Sequence, residues 1–217
     1  MIKTRFIFVR HGEADGNVQR LFHGWHNSNL TKNGHMQARL TAAYLIPKPI
    51  DVLYASDLRR TLDTAGYIAR QKGLKIHPEP GLREISGGAW ENLTWTELEQ
   101  RYPEEYQAFH CRPQEAALPG GESMPEVQRR VSRALGEIQT RHEGKNICIV
   151  THGTVLRCML CLWRGWPAER MQELPWFDNA SVTELEVTEQ GIKIITEGEN
   201  RQLGAYGTLH KQTWWKK

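Results

Sequence analysis

Two short apolar runs, each ending in a histidine followed by a glycine, limit what this chain can become. Phe6-Ile7-Phe8-Val9 stops at Arg10-His11-Gly12-Glu13, and Asn146-Ile147-Cys148-Ile149-Val150 stops at Thr151-His152-Gly153 and leads into an apolar helix. Runs this short, rich in β-branched and aromatic residues, read as buried strands, and open α/β sheets place their ligands at the carboxyl ends of such strands. Both histidines are therefore expected at one sheet edge. Ser56-Asp57-Leu58-Arg59-Arg60-Thr61 and a lone acidic residue in Leu82-Arg83-Glu84 lie between them.

The rest of the chain alternates strand and helix patterns. Residues 12–30 hold glycine, asparagine and histidine with little periodicity and read as a long loop over the strand end. Thr31 is a helix cap for a pattern that Pro47 ends, and Asp51-Val52-Leu53-Tyr54-Ala55 is a second strand. Ser56 or Asp57 is expected to cap the helix that follows, which runs to about Lys72. That places Arg59, Arg60 and Thr61 at a helix start, where backbone N–H groups favour anions. A short strand at Lys75-Ile76-His77 precedes the Glu84 loop, and aromatic-rich helical pieces between Trp90 and Gly121 read as an insertion covering the site. Pro125 to His142 is an amphipathic helix, and Ser181–Val187 with Ile192–Glu197 form a hairpin at a sheet edge. The Trp214-Trp215-Lys216-Lys217 ending is expected to pack on the body.

At 217 residues the chain suits one α/β domain over residues 1–217. A net charge of +3, with no basic stripe interleaved with aromatics, does not indicate a nucleic-acid partner and suits a small anionic substrate. No signal peptide and no membrane-spanning apolar run is present, so a cytoplasmic protein without a membrane partner is expected. Four cysteines at 111, 148, 158 and 161 make no secreted framework. Cys158-Met159-Leu160-Cys161 matches C-x-x-C but lies in an apolar helix without a second pair, which reads as ordinary buried thiols. Nine histidines without H-E-x-x-H or clustered carboxylates give no metal site, and no cofactor is expected.

These residues resemble the histidine phosphatase (phosphoglycerate mutase-like) superfamily, and most closely its compact, broad-specificity bacterial phosphatases. The resemblance runs from Arg10-His11-Gly12-Glu13 through Gly24, Leu30-Thr31-Lys32-Asn33-Gly34, Ser56-Asp57-Leu58, Leu82-Arg83-Glu84 and Pro119-Gly120-Gly121-Glu122-Ser123 to Thr151-His152-Gly153. It implies a three-layer α/β sandwich, with a mostly parallel central sheet flanked by helices, a helical lid insertion at about 85–123 and a C-terminal edge hairpin. It also implies a nucleophile at His11, phosphate ligands at Arg10, Arg60 and His152, acid/base chemistry at Glu84 and a further phosphate contact at Asn17. Ala14, Asn27, Asn29 and Asn92 depart from the family's usual threonine, aspartate, proline and glycine, and none of the four is a phosphate ligand or proton carrier.

The residue types fit that chemistry on their own terms. A phosphate ester is a dianion whose hydrolysis needs positioning and charge stabilisation, for which planar bidentate donors such as Arg10 and Arg60 are suited. His152 can add an N–H, and the Gly153 backbone N–H at a helix start can complete the cradle. His11 attacks phosphorus only with one ring nitrogen unprotonated, a state favoured by flanking cations and fixed by a hydrogen bond from the other nitrogen to a carbonyl. Glu84 protonates the leaving oxygen and then activates water, and under a lid beside a phosphate it has reason to hold its proton. Phe22, His23 and Gly24, with His26, are placed on the leaving-group side. Arg59 and Arg83 read as surface or helix-start charges, and Glu13 either orients His11 or pairs with an arginine.

The expected activity is therefore metal-independent hydrolysis of a small phosphorylated metabolite through a phosphohistidine. Alternatives are a cofactor-dependent phosphoglycerate mutase, a specific phosphatase for α-ribazole phosphate or a sugar bisphosphate, and a silent binding module. Mutases carry a longer segment rich in basic contacts after the acid glutamate, whereas Ile85-Ser86-Gly87-Gly88-Ala89-Trp90-Glu91-Asn92 is short and nearly uncharged. A silent module typically lacks the nucleophile or a ligand, and here all are present.

Overall fold

The computed structural model describes residues 2–208. The Trp214-Trp215 ending therefore lies outside the described residues. In chain order the elements are β1 (Thr4–Arg10), α1 (Asp15–Val18), α2 (Lys32–Tyr44), β2 (Val52–Ala55), α3 (Arg59–Lys72) and β3 (Ile76–Pro78). There follow α4 (Trp95–Arg101), α5 (Pro103–Cys111), α6 (Met124–Arg141), β4 (Asn146–Thr151), α7 (Gly153–Trp163), β5 (Val182–Thr188) and β6 (Gly191–Glu199). The six strands form one sheet in the order β3-β2-β4-β1-β5-β6. The first four in that order run parallel, and β5 and β6 are added antiparallel as a hairpin at the edge.

Strict alternation in the central strands sorts their side chains into two cores, because successive residues point to opposite faces. Phe6, Phe8, Ile147 and Ile149 pack on one face with residues of α6 and α7, while Ile7, Val9, Cys148 and Val150 pack on the other with α2 and α3. Ile7, Ile147 and Val150 are fully buried, each worth about 1.5–3 kcal/mol relative to exposure. α7 is buried at every position from Gly153 to Cys161, and the one charged residue there, Arg157, is paired with Met171 O at 2.8 Å.

Local chemistry explains most boundaries. Thr31 caps α2 by accepting the Gly34 N–H at 3.0 Å. α3 ends on Gly73 at φ 66°, a left-handed position where a side chain would be strained. Its start corrects the expected cap: Leu58 is the N-cap and supplies no side-chain bond, and Asp57 is bound instead by Arg83. The first-turn N–H of Arg59 finds its acceptor in Asn27 Oδ1 at 2.8 Å. The 12–30 segment is also not uniformly irregular. It holds α1 and is tied by bridges between Ala14 and Leu30 and between Leu21 and Thr94.

The 85–123 stretch continues the main core. Trp90, Leu98, Phe109 and Leu118 are buried in the same apolar cluster as Phe6 and Phe8. Phe22 inserts edge-on among Trp90, Trp95 and Phe109, with ring centroids 5.4–5.9 Å apart. Asn92, where the family usually has glycine, sits at φ 63°, a conformation that asparagine tolerates better than most residues. Cys148 and Cys158 are buried free thiols, each pushed up to about 12 by burial, and Cys158 packs on the sulfurs of Met124 and Met171. That is the environment of inert core cysteines.

Candidate active site

β1 and β4 are adjacent and in register, with Arg10 opposite Thr151, so the residues that follow them, His11 and His152, emerge side by side. Their ring centroids are 5.2 Å apart. Both rings are buried, and both are held neutral, well below the usual histidine range, by burial first and then by the Arg60 charge. Arg10 adds to this effect at His11. His11 Nδ1 lies 2.7 Å from the carbonyl oxygen of Gly12. A carbonyl can only accept, so Nδ1 carries the proton and Nε2 keeps its lone pair.

The cations are buried and oriented by backbone oxygens. Arg10 Nη1 donates to Phe177 O, and Arg60 donates to His26 O at 3.0 Å and to Gly24 O at 2.7 Å. Burial lowers both guanidinium pKa values, that of Arg60 to about 10, while Glu84 opposes the shift. Both therefore stay charged at neutral pH. The Nε atoms of Arg10 and Arg60 and both ring nitrogens of His152 are buried with no hydrogen-bond partner among the described residues. Unpaired polar groups of this kind are costly in a folded protein, and the guanidinium N–H groups and the one N–H of a neutral His152 are donors suited to an incoming anion.

Arg10, His11, Asn17, Phe22, His23, Gly24, Arg60 and Glu84 line one cavity of about 740 Å³ that includes its open mouth. Asn17 Oδ1 accepts the Ala14 backbone N–H at 2.9 Å, which fixes the amide and leaves Nδ2 as the free donor. Glu84 Oε1 accepts Ile85 N–H at 3.0 Å and Oε2 accepts Thr154 N–H at 3.1 Å. Gly153 opens α7 beside Arg10, and a Cβ there would come within 3.3 Å of the guanidinium carbon. His23 packs on Gly16, and His26 meets the site through its carbonyl.

The neighbouring charges resolve as follows. Glu13 neither orients His11 nor pairs with an arginine; it accepts the Thr31 hydroxyl at 2.6 Å and Asn33 Nδ2 at 3.3 Å, bracing the α2 cap. Arg59 pairs with Asp63 on the surface, and Arg83 pairs with Asp57 while lying over the Trp25 ring. Sequence reasoning missed Arg20, Leu21, Thr154 and Trp176 on the cavity wall. It also missed the loop before β5, where Asn179 Nδ2 donates to His11 O at 3.1 Å. Only the polar run Asp178-Asn179 ahead of a strand could have signalled that loop. Among the described residues no group of three or more histidine, cysteine, aspartate or glutamate side chains is placed to hold a metal ion, and no helix is long and apolar enough to cross a membrane.

Comparison with known proteins places this geometry in a family. Residues 6–200 match the model of the histidine phosphatase superfamily, branch 1. Phosphoserine phosphatase 1 of Hydrogenobacter thermophilus is 31% identical over 209 residues, covering 96% of this chain and 99% of that protein. A metal-independent phosphoserine phosphatase of Arabidopsis thaliana is 36% identical over 213 residues, covering 96% of this chain and 87% of that one. The solved structure of YhfR from Bacillus stearothermophilus superposes with a TM-score of 0.89 at 32% identity, over 92% of this chain and 99% of that one. The chain belongs to the histidine phosphatase superfamily, branch 1, and is a phosphatase.

Proposed function

We propose that this phosphatase hydrolyses small phosphate monoesters through a phosphohistidine at His11, with water as the final acceptor and no metal ion. The observation that carries the reading is the fixed His11 tautomer together with buried donors on Arg10, Arg60 and His152 that have no partner among the described residues. The Nε2 lone pair attacks phosphorus and the ester P–O bond breaks. Arg10, Asn17, Arg60 and His152 hold the phosphoryl oxygens, and the Gly153 backbone N–H extends the cradle. Glu84 gives its proton to the leaving oxygen, then takes one from water as the N–P bond is hydrolysed. Phe22, His23 and Gly24 form the leaving-group side.

Water rather than a second ester is favoured by the segment after Glu84. Its one charged residue, Glu91, is engaged in accepting the backbone N–H groups of Trp25, His26 and Gly87. The names of the two phosphoserine phosphatase relatives support a small amino-acid phosphate as one substrate to assay and, for one of them, activity without a metal ion.

Replacing Glu84 by Gln tests the assignment. An alkoxide needs a proton as it departs and p-nitrophenolate does not, so Glu84→Gln slows alkyl phosphates by roughly two to four orders of magnitude in the first step and aryl phosphate less. The variant then shows a burst of p-nitrophenol as phosphoenzyme accumulates. Equal losses on both substrates without a burst argue against the role. Chelator-treated protein keeps its activity, and phosphate release from phosphoglycerates outruns their interconversion.

A further inference from the structure

We infer that Arg130 and Glu122 act together as a positioning unit that sets the catalytic carboxylate of Glu84 from behind. Neither residue lines the cavity, and neither belongs to the chemistry described above. The inference rests on the assignment of Glu84 as the proton carrier.

Arg130 projects from α6 beneath the 81–86 loop and uses all five of its N–H donors there. Nη1 donates to Gly81 O and Arg83 O, both at 3.0 Å. Nη2 donates to Glu84 O at 3.1 Å and Glu122 Oε2 at 2.8 Å, and Nε donates to Glu122 Oε1 at 2.8 Å. Glu122 returns to the same loop, because its Oε2 also accepts Ser86 N–H at 2.9 Å and its own N–H donates to Ser86 O at 3.0 Å. Four residues of one segment, which opens in the short 3-10 turn Pro80–Leu82 and is irregular beyond it, are thus pinned by a single bidentate ion pair whose side chains are 20% and 18% exposed.

An irregular segment has no ladder of its own to fix it, so its polar backbone must be paired from outside. The Glu84 carbonyl is gripped twice, by Arg130 and by Trp25 Nε1 at 2.7 Å. The carboxylate is then aimed by Ile85 N–H and Thr154 N–H. A general acid acts only within hydrogen-bond reach of its proton's destination, and displacement by about 1 Å costs on the order of 100-fold. Lysine can replace the fork only in part, because one ammonium on a flexible stem has three donors and no planar edge for a carboxylate.

The test compares Arg130→Met, Arg130→Lys and Glu122→Gln with Glu84→Gln on a matched alkyl phosphate and p-nitrophenyl phosphate, with thermal midpoints recorded for each. Arg130→Met lowers kcat on the alkyl ester by about 10- to 100-fold, lowers the aryl rate less, and leaves KM for the aryl ester near the parent value. Arg130→Lys recovers part of the alkyl rate, and Glu122→Gln, which folds with the same shape, shows the same alkyl-selective loss in smaller measure. In the Glu84→Gln background Arg130→Met costs little more on the alkyl ester. Equal losses on both esters, or a lowered midpoint with an unchanged alkyl-to-aryl ratio, overturn the inference. If Glu84→Gln alone lacks the alkyl-selective loss, it is the Glu84 assignment that fails; if only the Arg130 and Glu122 variants lack it, the positioning unit fails and the assignment stands.

Discussion

His11 Nδ1 and the carbonyl oxygen of Gly12, the next residue, lie 2.7 Å apart, so the imidazole is held by its own backbone. This bond and the adjoining charges act on different properties of the ring. The carbonyl selects the tautomer, while burial and the charges of Arg60 and Arg10 keep the ring neutral. In the free enzyme the His11 ring therefore stays neutral, with its proton on Nδ1, as pH falls below the ordinary value of 6.5. Long-range 1H–15N NMR of the imidazoles reads both properties, and a titration midpoint at or above 6.5, or a proton on Nε2, contradicts this.

Asn17 is held by its oxygen, which leaves only Nδ2 for a substrate oxygen. Asn17→Asp keeps the acceptor for Ala14 N–H and exchanges the donor for an anion. Steady-state kinetics should show kcat/KM reduced by about 100-fold or more, as for the loss of an oxyanion donor, with little change in thermal midpoint. An unchanged kcat/KM would remove Asn17 from the phosphate site.

Gly12 is constrained by the approach of α2. A Cβ at that position would sit 2.6 Å from the Gly34 carbonyl oxygen, a backbone atom with little room to yield. Gly12→Ala is expected to cost about 1–3 kcal/mol by overpacking, measured by denaturant unfolding. It also shifts the Gly12 carbonyl, so turnover falls further than the stability loss explains.

Acid stability follows from three rings. His11, His23 and His152 are all held well below 6.5, with burial the leading cause. Below pH 6.5 the unfolded chain binds protons that the folded chain refuses, so stability is present above that value and is lost as pH falls towards the folded-state pKa values. Each ring contributes at most about 1.4 kcal/mol per pH unit in that window. Denaturant midpoints should fall from pH 6.5 to 5.5, and replacing His23 with an uncharged residue should flatten the slope.

The central sheet was legible because the β1 and β4 runs are short, apolar and bounded by polar residues, and their carboxyl ends lie side by side as their pattern implied. Thr31 announced its cap by residue type. The α3 start misled because Ser56 and Asp57 have the right types for a cap, while the acceptor actually used, Asn27, is distant in sequence. Glu13 was ambiguous for the same reason, since its partners Thr31 and Asn33 become neighbours only after the loop closes. Arg130 was invisible: an arginine in an amphipathic helix carries no local mark of the five acceptors gathered around it.

The covalent intermediate is the most direct measurement. The protein is mixed with 32P-labelled phosphate ester, quenched within one turnover, and tested for label stability before peptide mapping. The account predicts label on His11 that survives alkali and is released by mild acid, and no label or turnover in His11→Ala. Label on another residue, or wild-type turnover by His11→Ala, would contradict it.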